Sequence, residues 1–363
     1  MTRPSFRASA LRAYSKGASR QIWEKFGGSP GPKLQTLRLL KFAAGCFRHI
    51  LPVGALSCPP AHAQSEFTGE RFPYDAFDRL PTTPITVGGG TLNVGFAPGE
   101  FALPPSALMA WLEKSAKAVS VYFGKYPVAS AKVLIVPASG SGVQRGTTFG
   151  YREAAIRLVV GSDSTEADLA DRKAVHEMTH LALPDVDEPH LWLAEGIAVY
   201  VEPIARVQAG DLTAERIWGD MVRDMKQGLP KQGDRGLDHT PTWGRTYWGG
   251  AIFCLLADVE IRKRTDNKIG LQQALRGILA AGGNHEQDWR DWPVERIFRV
   301  ADEATGVTVL SELYEKMRAK PYAPDLGALW RDLGISVHDG QVTFDDRAPL
   351  APIRRAITTG PPL

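Results

Sequence analysis

Two histidines four residues apart, with a glutamate directly after the first, stand in Ala174-Val-His-Glu-Met-Thr-His-Leu-Ala182. On a helix, positions i and i+4 lie one above the other on a single face. The imidazoles of His176 and His180 therefore point the same way and can grip one Zn2+ ion. Glu177, one step round the helix, can reach a water held by that metal without ligating it. This arrangement suits hydrolysis, because the metal lowers the pKa of the water and the carboxylate takes its proton. Two solvated histidines on an ordinary helix would show the same spacing, so a third ligand has to be found.

A site completed by a nearby histidine, as in the metzincins, needs Gly at 183 and His at 186, where the chain has Leu183 and Val186. The downstream carboxylates are Asp185, Asp187, Glu188, Glu195 and Glu202. The first three fall in the short linker Pro184-Asp-Val-Asp-Glu-Pro189-His190, too close to fold back easily. Glu195 lies in the next helical pattern, and Glu202 stands about two turns beyond it. Glu195 is the leading candidate. Asp171 and Glu202 are both placed to orient a metal-binding histidine, and the sequence does not choose between them.

His176-Glu-Met-Thr-His180 together with Leu191-Trp-Leu-Ala-Glu-Gly-Ile-Ala-Val-Tyr-Val-Glu202 resembles the gluzincins, the zinc peptidases that share the thermolysin-type catalytic core. The similarity is to the aminopeptidase N, glycyl aminopeptidase and peptidase MA-like groups, whose second helix also reads Trp-Leu-x-Glu-Gly-x-Ala-x-Tyr. It runs over roughly residues 85–280, with its specific motifs in the two zinc helices. The resemblance implies that His176, His180 and Glu195 bind zinc, that Glu177 is the general base, and that the substrate is a peptide or protein. Thr246-Tyr247-Trp-Gly-Gly250 is similar to the Tyr-x-x-Gly helix of the glycyl aminopeptidases. That likeness makes Tyr247 a donor to the tetrahedral intermediate; the competing reading is a packing residue of an amphipathic helix. No Gly-x-Met-Glu-Asn segment precedes the metal helix, so recognition of a free substrate amine is not implied. An extended substrate is instead expected to pair with the strand at 154–160 through backbone groups. The implied fold is α+β, a thermolysin-like (zincin) catalytic domain with an N-terminal mixed β-sheet lobe followed by a mainly helical lobe. The alternative functions are a non-catalytic peptide- or cell-wall-binding protein that keeps the zincin fold, and an anchored structural protein. The intact Glu177 speaks against the first.

The elements that must position these residues follow from periodicity and turn chemistry. A hairpin is expected at 85–96 around the Gly88–Gly90 turn, a helix over 104–123, and strands at 132–137, 147–151 and 154–160. The glycine turn has no lysine and no following helix, which argues against a phosphate loop. Ser164 or Thr165 is expected to cap the metal helix, with Glu166 and Asp168 in its first turn and Pro184 after its end. Pro189 opens the second zinc helix and Pro203 ends it. Further helices are expected at 211–227, 246–263, 269–281, 292–301 and 308–318, then a hairpin at 335–344 turning on Asp339-Gly340. The chain thus divides into a leader at 1–63 and one catalytic unit at 64–363. That unit comprises a β-rich lobe (64–163), the zinc helices and helical lobe (164–330), and a C-terminal hairpin and tail (331–363).

Charge supports that boundary. Residues 1–63 hold ten Lys/Arg and one acid, Glu24, so of the chain's 43 basic and 40 acidic residues the remainder keeps 33 and 39. The basic excess belongs to the leader, and the folded part gives no reason to expect nucleic-acid binding. Apolar runs at 39–47 and 50–58, followed by Ala61-His62-Ala63, form an export signal cleaved before Gln64; the alternatives are an uncleaved anchor and a transit peptide. The expected location is periplasmic or secreted, with any membrane association made through the leader. Cys46 and Cys58 leave with it, so Cys254 alone remains, in an apolar run where it reads as a buried hydrophobe. Oligomeric state is not fixed by the sequence.

Overall fold

Alternating apolar residues build a mixed five-stranded sheet that carries one side of the site. Its order is β1-β2-β3-β5-β4. The hairpin β1 (Thr82–Val87) and β2 (Gly90–Phe96) is antiparallel. From β2 the chain crosses through α1 (Pro105–Phe123) to the parallel strand β3 (Ser130–Ala138). β5 (Ala155–Gly161) runs parallel to β3, and β4 (Val143–Phe149) closes the sheet antiparallel to β5. One strand face, with Val133, Ile135, Ile156, Leu158 and Val160, shares a core with Leu108, Leu112, Ala116 and Val119 of α1.

The computed structural model describes residues 66–285 and 292–359, so the leader expected at 1–63 lies outside the described residues. Chain contacts divide at Arg71: the described part of the first unit is 66–71, helical at 66–68, and everything below belongs to the second, from Phe72.

After the sheet the chain is helical. α2 (Lys173–His180) and α3 (Leu191–Gln208) hold the two zinc motifs, and α4 (Ala214–Asp224) follows. A π-helical turn at Gly244–Gly249 leads into α5 (Gly250–Arg264), then α6 (Leu271–Ala280), α7 (Val294–Thr305) and α8 (Val309–Met317). α9 (Leu326–Asp332), the hairpin Ile335–His338 with Gln341–Phe344, and α10 (Ala351–Thr359) complete an α+β architecture. Cys254 is buried in α5 with its thiol pushed up by that burial, which makes it a packing group. No described helix is long and apolar enough to cross a membrane.

The structure corrects the expectations for the metal helix, the second zinc helix and the substrate edge. The metal helix does not start at Ser164 or Thr165. The Ser164 hydroxyl donates to Gly161 O and accepts from Gly142 N–H, while the N–H and hydroxyl of Thr165 both donate to Asp168. These bonds close a separate 3₁₀ turn at Ala167–Leu169, and the chain re-enters helix only at Lys173. α3 also passes through Pro203 rather than ending there. A proline removes one intrahelical bond, but the last turn is held by Arg206, which donates to Glu202, Asp211 and Ala170 O. Finally, the strand at 154–160 is interior, paired on one side by β3 and on the other by β4. The open sheet edge on this side belongs to β4.

Candidate metal centre

α2 has only eight residues, so a large share of its carbonyls lack partners within the helix. Its last four are met from outside. The N–H groups of Leu181, Ala182 and Leu183 donate to Met178, Thr179 and His180, and the Thr148 hydroxyl of β4 donates to Glu177 O at 2.9 Å. Ala174, Val175 and Met178 bury the opposite face. The turn bearing His180 is fixed in this way, and the two histidine rings sit with centroids 4.9 Å apart and planes at 83°.

α3 brings the third group, and its start is tied down by a polar chain. Trp192 Nε1 donates to one Asp238 oxygen and the Tyr314 hydroxyl to the other, each at 2.9 Å. His190 Nε2 lies 2.9 Å from the Tyr314 oxygen, and its Nδ1 pairs with Asp187. Burial opposes the imidazolium, but Asp238 and Asp187 outweigh it and push the His190 pKa up to about 8. A folded-state pKa raised above the unfolded value of about 6.5 gives stability that is complete below about 6.5 and lost as pH rises through about 8. Thermal melts across that interval are expected to show the loss in the native protein and not in His190→Gln. A flat profile in both would remove His190 from this role.

The middle of α3 meets the start of α5 backbone to backbone. A Cβ on Gly196 would stand 2.3 Å from the Cα and carbonyl carbon of Gly250, and one on Gly250 would stand 2.0 Å from Trp192 O. Only glycine permits such an approach. Glu195 adjoins this crossing on α3, and Tyr247 lies three residues before Gly250 on the π-helical turn. Tyr247 is buried, its ring stacked on Trp243 with centroids 6.1 Å apart.

Three of the residues singled out from the sequence are brought together. Glu195 Oε2 is 3.2 Å from His176 Nε2 and 3.7 Å from His180 Nε2, and one ligand atom from each residue lies within 4.8 Å of the others. Donors about 2.0–2.2 Å from a tetrahedral zinc stand roughly 3.3 Å apart, so two imidazole nitrogens and one carboxylate oxygen at these spacings fit the ion with one position open. Among the described residues no other group of three His, Cys, Asp or Glu side chains converges in this way. Burial raises the Glu195 carboxyl, but His180 and His176 outweigh it and hold the group well below the usual carboxylate range.

Glu177 is not part of that convergence. Its side chain turns to β4, where Oε2 lies 2.7 Å from Thr148 Oγ1 and shares the hydroxyl proton with Glu177 O. Gly146, two residues earlier on the same strand face, leaves the space: a Cβ there would be 2.5 Å from Glu177 Cγ. Of the two candidate orienting carboxylates, Asp171 is engaged by the Lys173 N–H and ammonium. Glu202 is buried, its carboxyl raised by that burial against the pull of Arg206, Arg172 and His176. The roles of Thr148, Gly146, Gly250 and His190 escaped sequence reading. A Gly-x-Thr on a strand announces a shared face and leaves the partner unnamed.

No protein-family profile and no curated protein matches the chain. Solved structures do resemble it. The aminopeptidase N family protein of Idiomarina loihiensis aligns with a TM-score of 0.54 at 14% identity, over 72% of this chain and 50% of that one. The M1 zinc metallopeptidase of Deinococcus radiodurans aligns with a TM-score of 0.45 at 17% identity, over 68% and 53%. A variant of that enzyme bound to a Tyr-Ser-Ala substrate gives a TM-score of 0.45 at 15% identity, over 68% and 53%. The chain spans about half the length of these structures. The alignment with the Idiomarina loihiensis protein shows a likeness of fold, and that fold is gluzincin-like.

Proposed function

We propose that the chain is a zinc-dependent peptide hydrolase in which His176, His180 and Glu195 hold the ion and Glu177 is the general base. The observation that carries this reading is the convergence of two imidazole nitrogens and one carboxylate oxygen within 4.8 Å, contributed by two consecutive helices. Zinc bound there supplies a Lewis acid and a water of lowered pKa. Glu177 takes the proton of the attacking water and delivers it to the leaving amine. Tyr247 donates a hydrogen bond to the carbonyl oxygen as charge develops on it. An edge strand keeps main-chain donors and acceptors outside the sheet, so β4 receives the substrate as an added antiparallel or parallel strand. A binding protein that merely keeps this fold would have no use for a carboxylate clamped beside the ligands, which favours the hydrolase.

The test combines metal analysis with digestion of a peptide library read by mass spectrometry. Expected are one zinc per chain, cleavage that stops on chelation, and recovery when zinc is returned. In the same assay Tyr247→Phe is expected to lower kcat roughly 100-fold while zinc stays bound; unchanged turnover would remove the tyrosine from the mechanism. A well-folded preparation without stoichiometric zinc would sink the enzyme reading.

A further inference from the structure

A glutamate side chain has three rotatable bonds, and freezing it costs conformational entropy. Glu177 is nevertheless confined between two residues of one strand. Thr148 Oγ1 donates to its Oε2 at 2.7 Å, and the Gly146 backbone lies so close that a Cβ there would be 2.7 Å from Oε1. Both residues are on one face of β4, and their places are set by the pairing of Gly146 with Leu158 and Thr148 with Ile156. We infer that Thr148 is the positioning residue of Glu177, and that through it the base is registered to the strand that receives the substrate.

The inference rests on the hydrolase reading and deepens it. The Thr148 hydroxyl has a single proton, which it shares between that carboxylate oxygen and Glu177 O at 2.9 Å, at the end of α2. A purely structural role is therefore the rival explanation, and the two predict different readouts. Loss of the helix-end bond alone lowers the melting temperature and zinc occupancy, and activity falls only in step with them. Loss of positioning lowers turnover at full zinc occupancy, because misplacing a reacting group by about 1 Å removes on the order of 100-fold in rate.

The experiment compares Thr148→Val, which keeps the shape and removes the donor, with Thr148→Ser, which keeps the donor. Expected for the valine variant, measured at saturating zinc, is a kcat at least about tenfold lower with KM within roughly threefold of the native value. The serine variant is expected to recover most of that kcat. A valine variant with native kcat, a serine variant as slow as valine, or a kcat loss that tracks zinc loss would each overturn the inference. If the native protein binds zinc and cleaves no peptide, the hydrolase reading fails by itself. The contact is then read by a double-mutant cycle of unfolding with Thr148→Val and Glu177→Met. Unfolding constants non-additive by about threefold or more retain the clamp, and additivity removes it.

Discussion

Replacing Glu177 by glutamine is expected to lower kcat by about three orders of magnitude, within the range for loss of a general acid–base group and equivalent to roughly 4 kcal/mol of barrier. Glutamine has the same shape, still accepts a hydrogen bond from Thr148, and cannot take up a proton. Zinc should stay bound at native stoichiometry, because the converging donors come from His176, His180 and Glu195. The expected signature is thus a folded, metallated, inactive protein with nearly unchanged substrate binding. Steady-state kinetics beside metal analysis reads it directly. A variant that turns over at the native rate would transfer the base to another residue. Zinc loss would instead make Glu177 part of the metal's own shell.

The second large effect concerns a residue with no side chain. Gly196→Ala places a methyl 2.3 Å from the Gly250 backbone, where no rotamer change can relieve it. Overpacking of this kind destabilises by about 3 kcal/mol, whereas alanine gains only about 1 kcal/mol of helix propensity over glycine. The overlap wins. For a chain of this size the net loss of about 2 kcal/mol should lower the melting temperature by roughly 3–4 °C. Because Glu195 adjoins the crossing, a parted α3 and α5 also move the third ligand away from the histidines, and zinc affinity should fall with stability. Calorimetry and zinc titration check the two halves. Native values in both would show that the helices can part without consequence.

Much of this was legible in the chain. The zinc helices could be read because their information is local: His176 and His180 share a face by helical geometry alone, and Trp192-Leu-Ala-Glu-Gly196 follows within a short linker. The α+β class followed from the resemblance that those two helices carry. What failed was competition between local partners. Thr165 looks like a cap until Asp168 captures it. Pro203 looks like a stop until Arg206 ties the next turn to Ala170 O and Asp211. The helices Leu326–Asp332 and Ala351–Thr359 are short and flank a hairpin whose Asp339-Gly340 turn is the strongest local signal in that stretch, so they leave little mark of their own. Contacts distant in sequence were invisible altogether. Thr148 meets Glu177 across 29 residues, and no pattern in either segment names the other. The strand order mattered most: the segment at 154–160 is mostly apolar and buried on both faces, and it lies inside the sheet rather than at its edge.

The spacing of these contacts along the chain has a consequence for how the protein matures. The three converging donors all fall between His176 and Glu195, so closing them together requires only a short loop. The groups that complete the site are remote: β4 precedes α2, and Gly250 lies more than about fifty residues beyond Gly196. Local contacts form ahead of long-range ones in folding. Metal capture is therefore expected to come early and catalytic competence late. A refolding or newly made chain would then carry zinc for some time before Glu177 and the α3–α5 crossing are in place, and would be harmless to its neighbours while it does.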